Sequence, residues 1–295
     1  MVILCLLTAC GSSVTPEKAC TDAAAQLCTQ LQNCAAPLVT TAYGDVATCQ
    51  ARAQLTCLPA LMAPMTSANP DKLDQCATAT SMLTCNALFT RDTPEICKPL
   101  PGKLADGSAC GDDGQCTSTY CKKPANEVCG VCGARAAAGG ACTLDADCDY
   151  KLTCAMSVCV APGNVGDSCD GGHPCAPPNV CKAALCTAPV GAGMACDPVV
   201  KDCDATKGLY CDPTTRVCAL ATFAAAGAPC GYVNGAFVGC AAAGHCKLAP
   251  ASLMGTCLAA AADGAACDIT NGPECTSPAQ CIGSVCKLPN PAACM

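Results

Sequence analysis

Between residue 107 and the C-terminus one cysteine pattern recurs six times, and few kinds of fold can satisfy it. Each unit opens with Gly-x-x-Cys: Gly107-Cys110, Gly139-Cys142, Gly166-Cys169, Gly193-Cys196, Gly227-Cys230 and Gly264-Cys267. Three more cysteines follow each opening. The sets are Cys110, Cys116, Cys121 and Cys132; Cys142, Cys148, Cys154 and Cys159; Cys169, Cys175, Cys181 and Cys186. They continue with Cys196, Cys203, Cys211 and Cys218; Cys230, Cys240, Cys246 and Cys257; Cys267, Cys275, Cys281 and Cys286. In units two and three the gaps are five, five and four residues, although the residues between differ widely. Cys132, Cys159, Cys186 and Cys257 are each followed by nine residues and then another cysteine. Spacing held through divergent sequence marks a covalent framework.

Composition explains why such a framework is needed. The 295 residues include 36 cysteines, which is disulfide-scaffold density. The hydrophobic fraction of 52% is mostly Ala and Cys; Leu, Ile, Val and Phe make up only about 16%, with no Trp and three Phe. A chain so poor in large apolar side chains cannot offset its ordering entropy by core packing alone. Cross-links supply the difference, and they require an oxidising compartment. A net charge of −7 leaves no basic face for phosphates and argues against nucleic acid as a partner.

The chain begins MVILCLLTAC. Leu7-Thr8-Ala9-Cys10 resembles the bacterial lipobox, which implies cleavage after residue 9, lipid on Cys10 and attachment to a membrane. Gly11 in place of Asp points by the same resemblance to the outer membrane. The segment lacks a basic n-region and its apolar run is short, so the true start is expected upstream. It is also too short to span a bilayer as a helix. Removing Cys5 and lipidating Cys10 leaves an even number of cysteines. Residues 10–16 then form a lipidated tether.

Residues 17–97 have a different texture. Cys20, Ala24, Leu27, Leu31 and Cys34 fall on one face of a helix. Asp45 caps a second, with Val46, Cys49, Ala53 and Cys57 inward. Pro70 and Asp71 open a third, with Leu73, Cys76, Thr80 and Leu83 on one side. Pro37, the turn at 43–45 and the stretch PMTSANP punctuate the segment. The reading is a three-helix domain held by Cys20, Cys28, Cys34, Cys49, Cys57, Cys76, Cys85 and Cys97. At 100° per residue Cys76 faces the bundle and Cys85 is directed toward Cys97.

Residues 98–106 form a proline-stiffened linker, and 107–295 carry the six repeats. The first, CGDDGQCTSTYC, resembles the Dickkopf N-terminal type of cysteine-rich domain. Paired-cysteine helices followed by G-x-x-C repeats are similar to the cysteine-rich lipoproteins of myxobacterial-type Gram-negative bacteria. That resemblance implies a disulfide-rich surface or periplasmic module. The fold class expected is therefore small and disulfide-rich: a helical domain followed by hairpin and loop repeats with little regular secondary structure. Loops such as DDG, DGG, APPN and DITNGP favour turns and short hairpins.

No catalytic or metal constellation emerges, and no cofactor is implied. Cys129-Gly-Val-Cys132, the single CxxC, reads as structural in so cysteine-dense a chain. Asp145, Asp147 and Asp149 alternate like an EF-hand start, but Tyr150 and Met156 stand where that loop needs Gly and Glu. The two histidines, His173 and His245, lie in different units with no nucleophile and carboxylate set around them.

The reading of function is a non-enzymatic, lipid-anchored envelope protein that is structural or binds another protein or envelope ligand. The alternatives are a secreted-type inhibitor or regulator, for instance of proteases, and a thiolate metal-binding protein. Variable loops on a fixed frame make units four and five the expected contact surface, with Tyr210, Tyr232 and Phe237 as candidates. Four cysteines allow three pairings that spacing does not separate; first-to-third with second-to-fourth is the working expectation. Cys129 and Cys294 are supernumerary, leaving Cys294 to pair near Cys286, to pair with Cys129 if the array curls back, or to stay free. The array itself is expected to be elongated, with only neighbouring units in contact.

Overall fold

The structure, a computed structural model, describes residues 14–295. The expectations on Cys5, Cys10 and the lipobox lie outside the described residues. The fold is disulfide-rich: the cysteines from Cys20 to Cys294 form 17 disulfides beside four α-helices and many small sheets.

Helix α1 (Pro16–Tyr43) starts where the Thr15 side chain accepts the Lys18 N–H, and Pro16 sits in the first turn. It ends at Gly44, whose φ of 87° lets its N–H donate to the Val39 and Thr40 carbonyls. Pro37, read from sequence as a break, only kinks the helix, with Ala35 leaving helical geometry (φ −157°, ψ 69°). Helix α2 (Val46–Leu61) is capped by Asp45, whose carboxylate accepts the Thr48 N–H at 2.7 Å. Helix α3 (Pro70–Ser81) begins at Pro70 as expected, capped by Asn69. A further short helix, α4 (Cys85–Phe89), was not foreseen.

That extra helix corrects the expected pairing. Helix α3 stops at Ser81 and Thr84 caps a new helix, so the 100° rule does not carry through to residue 85. Cys85 bonds Cys34 of α1, while Cys76 bonds Cys97. Two more bridges, Cys20–Cys57 and Cys28–Cys49, staple α1 to α2. Helices α2 and α3 each pack along α1 but hardly touch one another. One buried cluster is Cys28, Cys49 and Val39, with Leu31, Tyr43, Val46 and Ala53 against it; Ala19, Cys20, Ala24, Ala35, Ala63 and Ala77 are buried besides.

All six repeats share one design. The third and fourth cysteines face each other across a short antiparallel pair: Cys121–Cys132, Cys154–Cys159, Cys181–Cys186, Cys211–Cys218, Cys246–Cys257 and Cys281–Cys286. They do not bond each other. The third cysteine bonds the first and the fourth bonds the second in every unit, as expected. The second cysteine also pairs in parallel with the incoming linker, as in Leu104–Cys116, Ala136–Cys148 and Ala261–Cys275. The sulfurs are thus the core, with a few side chains such as Leu104, Leu152 or Leu209 against them.

The opening glycine has a backbone reason. In each unit it lies at φ between 76° and 93° and donates its N–H to the carbonyl of that unit's fourth cysteine at 2.8–2.9 Å. No atom crowds these positions, so the left-handed conformation alone asks for Gly. In units one to three the loop between the first two cysteines forms a single 3₁₀ turn, at Asp113–Gln115, Asp145–Asp147 and Asp170–Gly172. Unit five departs most: its strands and the preceding Thr222–Ala224 form a five-stranded sheet, with Ala224 beside Cys240 in a parallel pair.

The array is not elongated. Cys129 bonds Cys294 across a separation of 165 residues, joining the first unit to the C-terminus. This is the curled-back outcome among the three considered for Cys294. The repeats wrap round the helices, which act as a hub. Unit one is held through Gln115 Nε2 to the Pro64 carbonyl (2.9 Å), and unit two through Arg91 to the Leu152 carbonyl (3.2 Å). The Ala242 N–H of unit five donates to the Thr40 carbonyl at 3.0 Å. In unit six, Asp263 forms a two-point ion pair with Arg52 at 2.6 and 2.8 Å. The expectation of an extended array failed because repeat spacing carries no information on contacts with a separate helical segment.

Candidate functional site

Two helices that flank a third and hardly touch each other leave a trough, and a cavity of about 680 Å³ lies in it. Its floor is made of small residues. Helix α1 contributes Cys20, Ala23, Ala24 and Leu27; α2 contributes Ala53, Cys57, Ala60 and Leu61; α3 contributes Leu73 and Cys76. These are largely the faces that helical periodicity marked as inward. With alanine at so many of them, the faces are apolar but too slight to meet.

The other side is built by the connecting strap and the first repeats. Ile96, Pro99 and Leu100 continue the apolar lining, while Lys72, Lys98, Lys123 and Arg135 bring four half-buried cations to the wall. Two carboxylates, Asp112 and Asp113, oppose them. Asp112 Oδ1 accepts the Gly114 N–H at 2.9 Å. Asp113 accepts the Cys121 N–H at 2.9 Å and pairs with Arg135 at 2.6 Å. Burial raises the Asp113 carboxyl above its ordinary range, with the Cys121 N–H and Arg135 opposing that effect. About a third of its side-chain surface can still be reached, and Asp113 is one of the residues lining the cavity.

Arg135 organises the joint between units one and two. Its guanidinium lies 4.2 Å from the Tyr120 ring centre and 5.2 Å from that of Tyr150. Its Nε is buried and has no hydrogen-bond partner among the described residues. Tyr120, also at the cavity, donates its hydroxyl to Asp147 at 2.6 Å. Burial raises Asp147, but the Tyr120 hydroxyl together with the Thr143 and Leu144 N–H groups outweighs it and holds the carboxyl far below the ordinary range. Tyr120 is correspondingly raised, by burial first and by Asp147 second.

The residues singled out from sequence fall elsewhere. Tyr210, Tyr232 and Phe237 come together as a half-buried cluster with ring centres 5.6–6.4 Å apart, and the Tyr210 hydroxyl accepts the Phe237 N–H at 3.0 Å. Much of their aromatic surface therefore joins unit four to unit five. Asp145 Oδ1 accepts from Thr153 and Cys154, and both Asp147 oxygens accept from protein donors as above. His173 bonds the Ala161 carbonyl at 3.1 Å, and His245 bonds Glu274 at 2.9 Å. Sulfurs of several units cluster closely enough to suggest metal sites, yet each is in a disulfide and offers no thiolate. Cys129 of the CxxC bonds Cys294 while Cys132 bonds Cys116.

Sequence reasoning missed the cavity and its cations. The usable signal was Ala24 and Ala53 on the faces read as inward, with Ala23 and Ala60 beside them. Lys72, Lys98, Lys123 and Arg135 come from four separate stretches, and no local pattern unites them. No family model, curated protein or solved structure matches this chain.

Proposed function

We propose that this chain is a non-enzymatic binding protein of an oxidising, extracytoplasmic compartment, built on a disulfide frame. The observation that carries the reading is that every described cysteine is paired, including those that make up the repeat cores. Reduced, the units would keep strands of only two to five residues and almost no apolar core. A preformed hollow with an apolar floor and a polar wall is the ordinary form of a small-molecule site. The sequence likeness to cysteine-rich lipoproteins with Dickkopf N-terminal-like repeats supports a place in the cell envelope, with residues 17–97 as a helical domain and lipid on Cys10 as the outer-membrane anchor. No helix among the described residues is long and apolar enough to cross a membrane.

Thiol titration of the denatured, unreduced protein tests the frame. The expected result is no free thiol from Cys20 onward, and several free thiols would overturn the reading. For the anchor, Cys10→Ala is expected to move the protein from the membrane to the soluble fraction; equal membrane binding would rule out Cys10 as the attachment point.

A further inference from the structure

We propose that the cavity between the helical hub and the first two repeats binds a single-chain amphiphile: an alkyl or acyl chain carrying an anionic head group. This deepens the binding reading above and is independent of the lipid anchor. The volume, about 680 Å³, lies within the range of small-molecule sites. The floor offers Ala, Leu and disulfide sulfur, with no hydroxyl or amide among the α1 and α2 residues that line it. A sugar or other polar ligand would leave its hydroxyls unmatched there. An alkyl chain matches them.

The polar wall selects the head group. The chain as a whole carries −7, yet the cavity lining holds four cations against two carboxylates. Those carboxylates already accept from Gly114, Cys121 and Arg135. Lys72 and Lys123 have no carboxylate within ion-pair distance among the described residues, and Arg135 keeps one buried N–H without an acceptor. Lys98 is paired with Glu95 at 2.6 Å, and Asp112 Oδ2 alone of the four carboxylate oxygens accepts no hydrogen bond among the described residues. Lys72, Lys123 and the Arg135 N–H therefore leave an excess of donor capacity, which a carboxylate or phosphate fills. The site is also held open. Cys20–Cys57 and Cys76–Cys97 lie in its walls and fix the helices and the strap where they stand. A hollow that cannot collapse binds with less ordering cost.

The test uses the full, unlipidated chain after oxidative refolding, with its disulfides verified by mass. A fluorescent fatty acid is the probe, displaced by dodecanoate, dodecyl phosphate, dodecanol or dodecyltrimethylammonium. The expected result is one saturable site, with the two anions displacing about tenfold more tightly than the alcohol, the equivalent of one favourable ion pair. Dodecyltrimethylammonium is expected not to compete. Ala60→Phe should remove binding by filling the floor, and Ala53→Leu serves where that variant loses its helical circular dichroism. Lys72→Gln with Lys123→Gln should remove the preference for anions and leave dodecanol binding unchanged. Phosphatidylglycerol vesicles separate a free amphiphile from a lipid surface. Sedimentation with vesicles that ignores Ala60→Phe, without binding of dissolved dodecanoate, overturns the proposal. So does equal affinity for the cationic detergent, or unchanged binding in a folded floor variant. A fully oxidised chain that binds no amphiphile overturns this inference alone; a chain rich in free thiols fails the broader reading instead.

Discussion

The helical hub and the repeat ring meet the same shortage of large apolar side chains in opposite ways. Within the ring's units, each bridge closes a loop of 11–17 residues, and the sulfur atoms make up most of what is buried. In the hub, bridges spanning 21–51 residues tie long helices together at a few points. Between those points the helices line the cavity with alanine and leucine. No bridge links α2 to α3, and that is where the cavity lies. Cross-linking short loops thus yields solid units, whereas cross-linking helices yields a frame with room inside.

The comparison can be tested most severely by full reduction. The ring should lose all ordered structure, while α1 and α2, with caps and helical propensity of their own, keep part of their signal at 222 nm. Circular dichroism before and after reduction checks this; complete loss of helix would mean that the hub depends on sulfur as heavily as the ring. Next in size is the removal of one bridge from each region. Replacing Cys28 and Cys49 by Ala takes out two fully buried side chains and a bridge worth about 3 kcal/mol, lowering the melting temperature by roughly 10 °C. Replacing Cys169 and Cys181 by Ala should loosen unit three alone, seen as faster hydrogen exchange confined to residues near 180–187.

A smaller effect is expected at the joint between units one and two. Tyr120→Phe removes the hydroxyl donor to Asp147 Oδ1, leaving the Thr143 hydroxyl on Oδ2, and should cost about 1–2 kcal/mol by chemical denaturation. The pH dependence has two edges. Asp147 is depressed in the folded state, so its contribution is present above the ordinary carboxylate range and is lost as pH falls through its folded value. Tyr120 is raised, so its contribution is present below pH about 10 and is lost as pH rises through its folded value. Tyr120→Phe should flatten both edges. Smallest is the closing bridge. Cys129→Ser with Cys294→Ser opens a nominal loop of 165 residues, but the units' own bridges have already shortened it. A loss of about 1 kcal/mol is expected, with the termini of the ring kept near one another by Gln115, Pro64 and Arg52. Marked expansion in small-angle scattering would show that this bridge alone closes the ring.

What could be read from the sequence was the local part. Gly-x-x-Cys spacing located every unit because a left-handed backbone position recurs with it, and Asp45 and Pro70 located two helix starts. The hairpin turns were less legible. Met156-Ser157 and Ala183-Ala184 take positive φ at both residues, where Asn-Gly is the expected signal. Cystines on either side of the turn hold a conformation that local preference would not choose. The Cys34–Cys85 pairing, the ring closure and the cavity all depend on segments distant in sequence. Periodicity placed Ala24 and Ala53 on helix faces correctly but did not show that their partners would stay out of reach.

Closure of the ring has a topological consequence. The four hub disulfides join hub to hub only, and the ring's bridges join ring to ring. A single peptide-bond cut in a linker between units, at 160–168 for example, therefore leaves one molecule, because the severed half stays attached through Cys129–Cys294. The same cut at 98–109 leaves two, with only hydrogen bonds, ion pairs and packing to keep them together. One nick is thus harmless to integrity across most of the chain and decisive in a single short strap. That strap is the one that carries Lys98 and Leu100 along the edge of the cavity. A nicked sample run unreduced in denaturant would show full-length mass for every ring cut and two species for a strap cut.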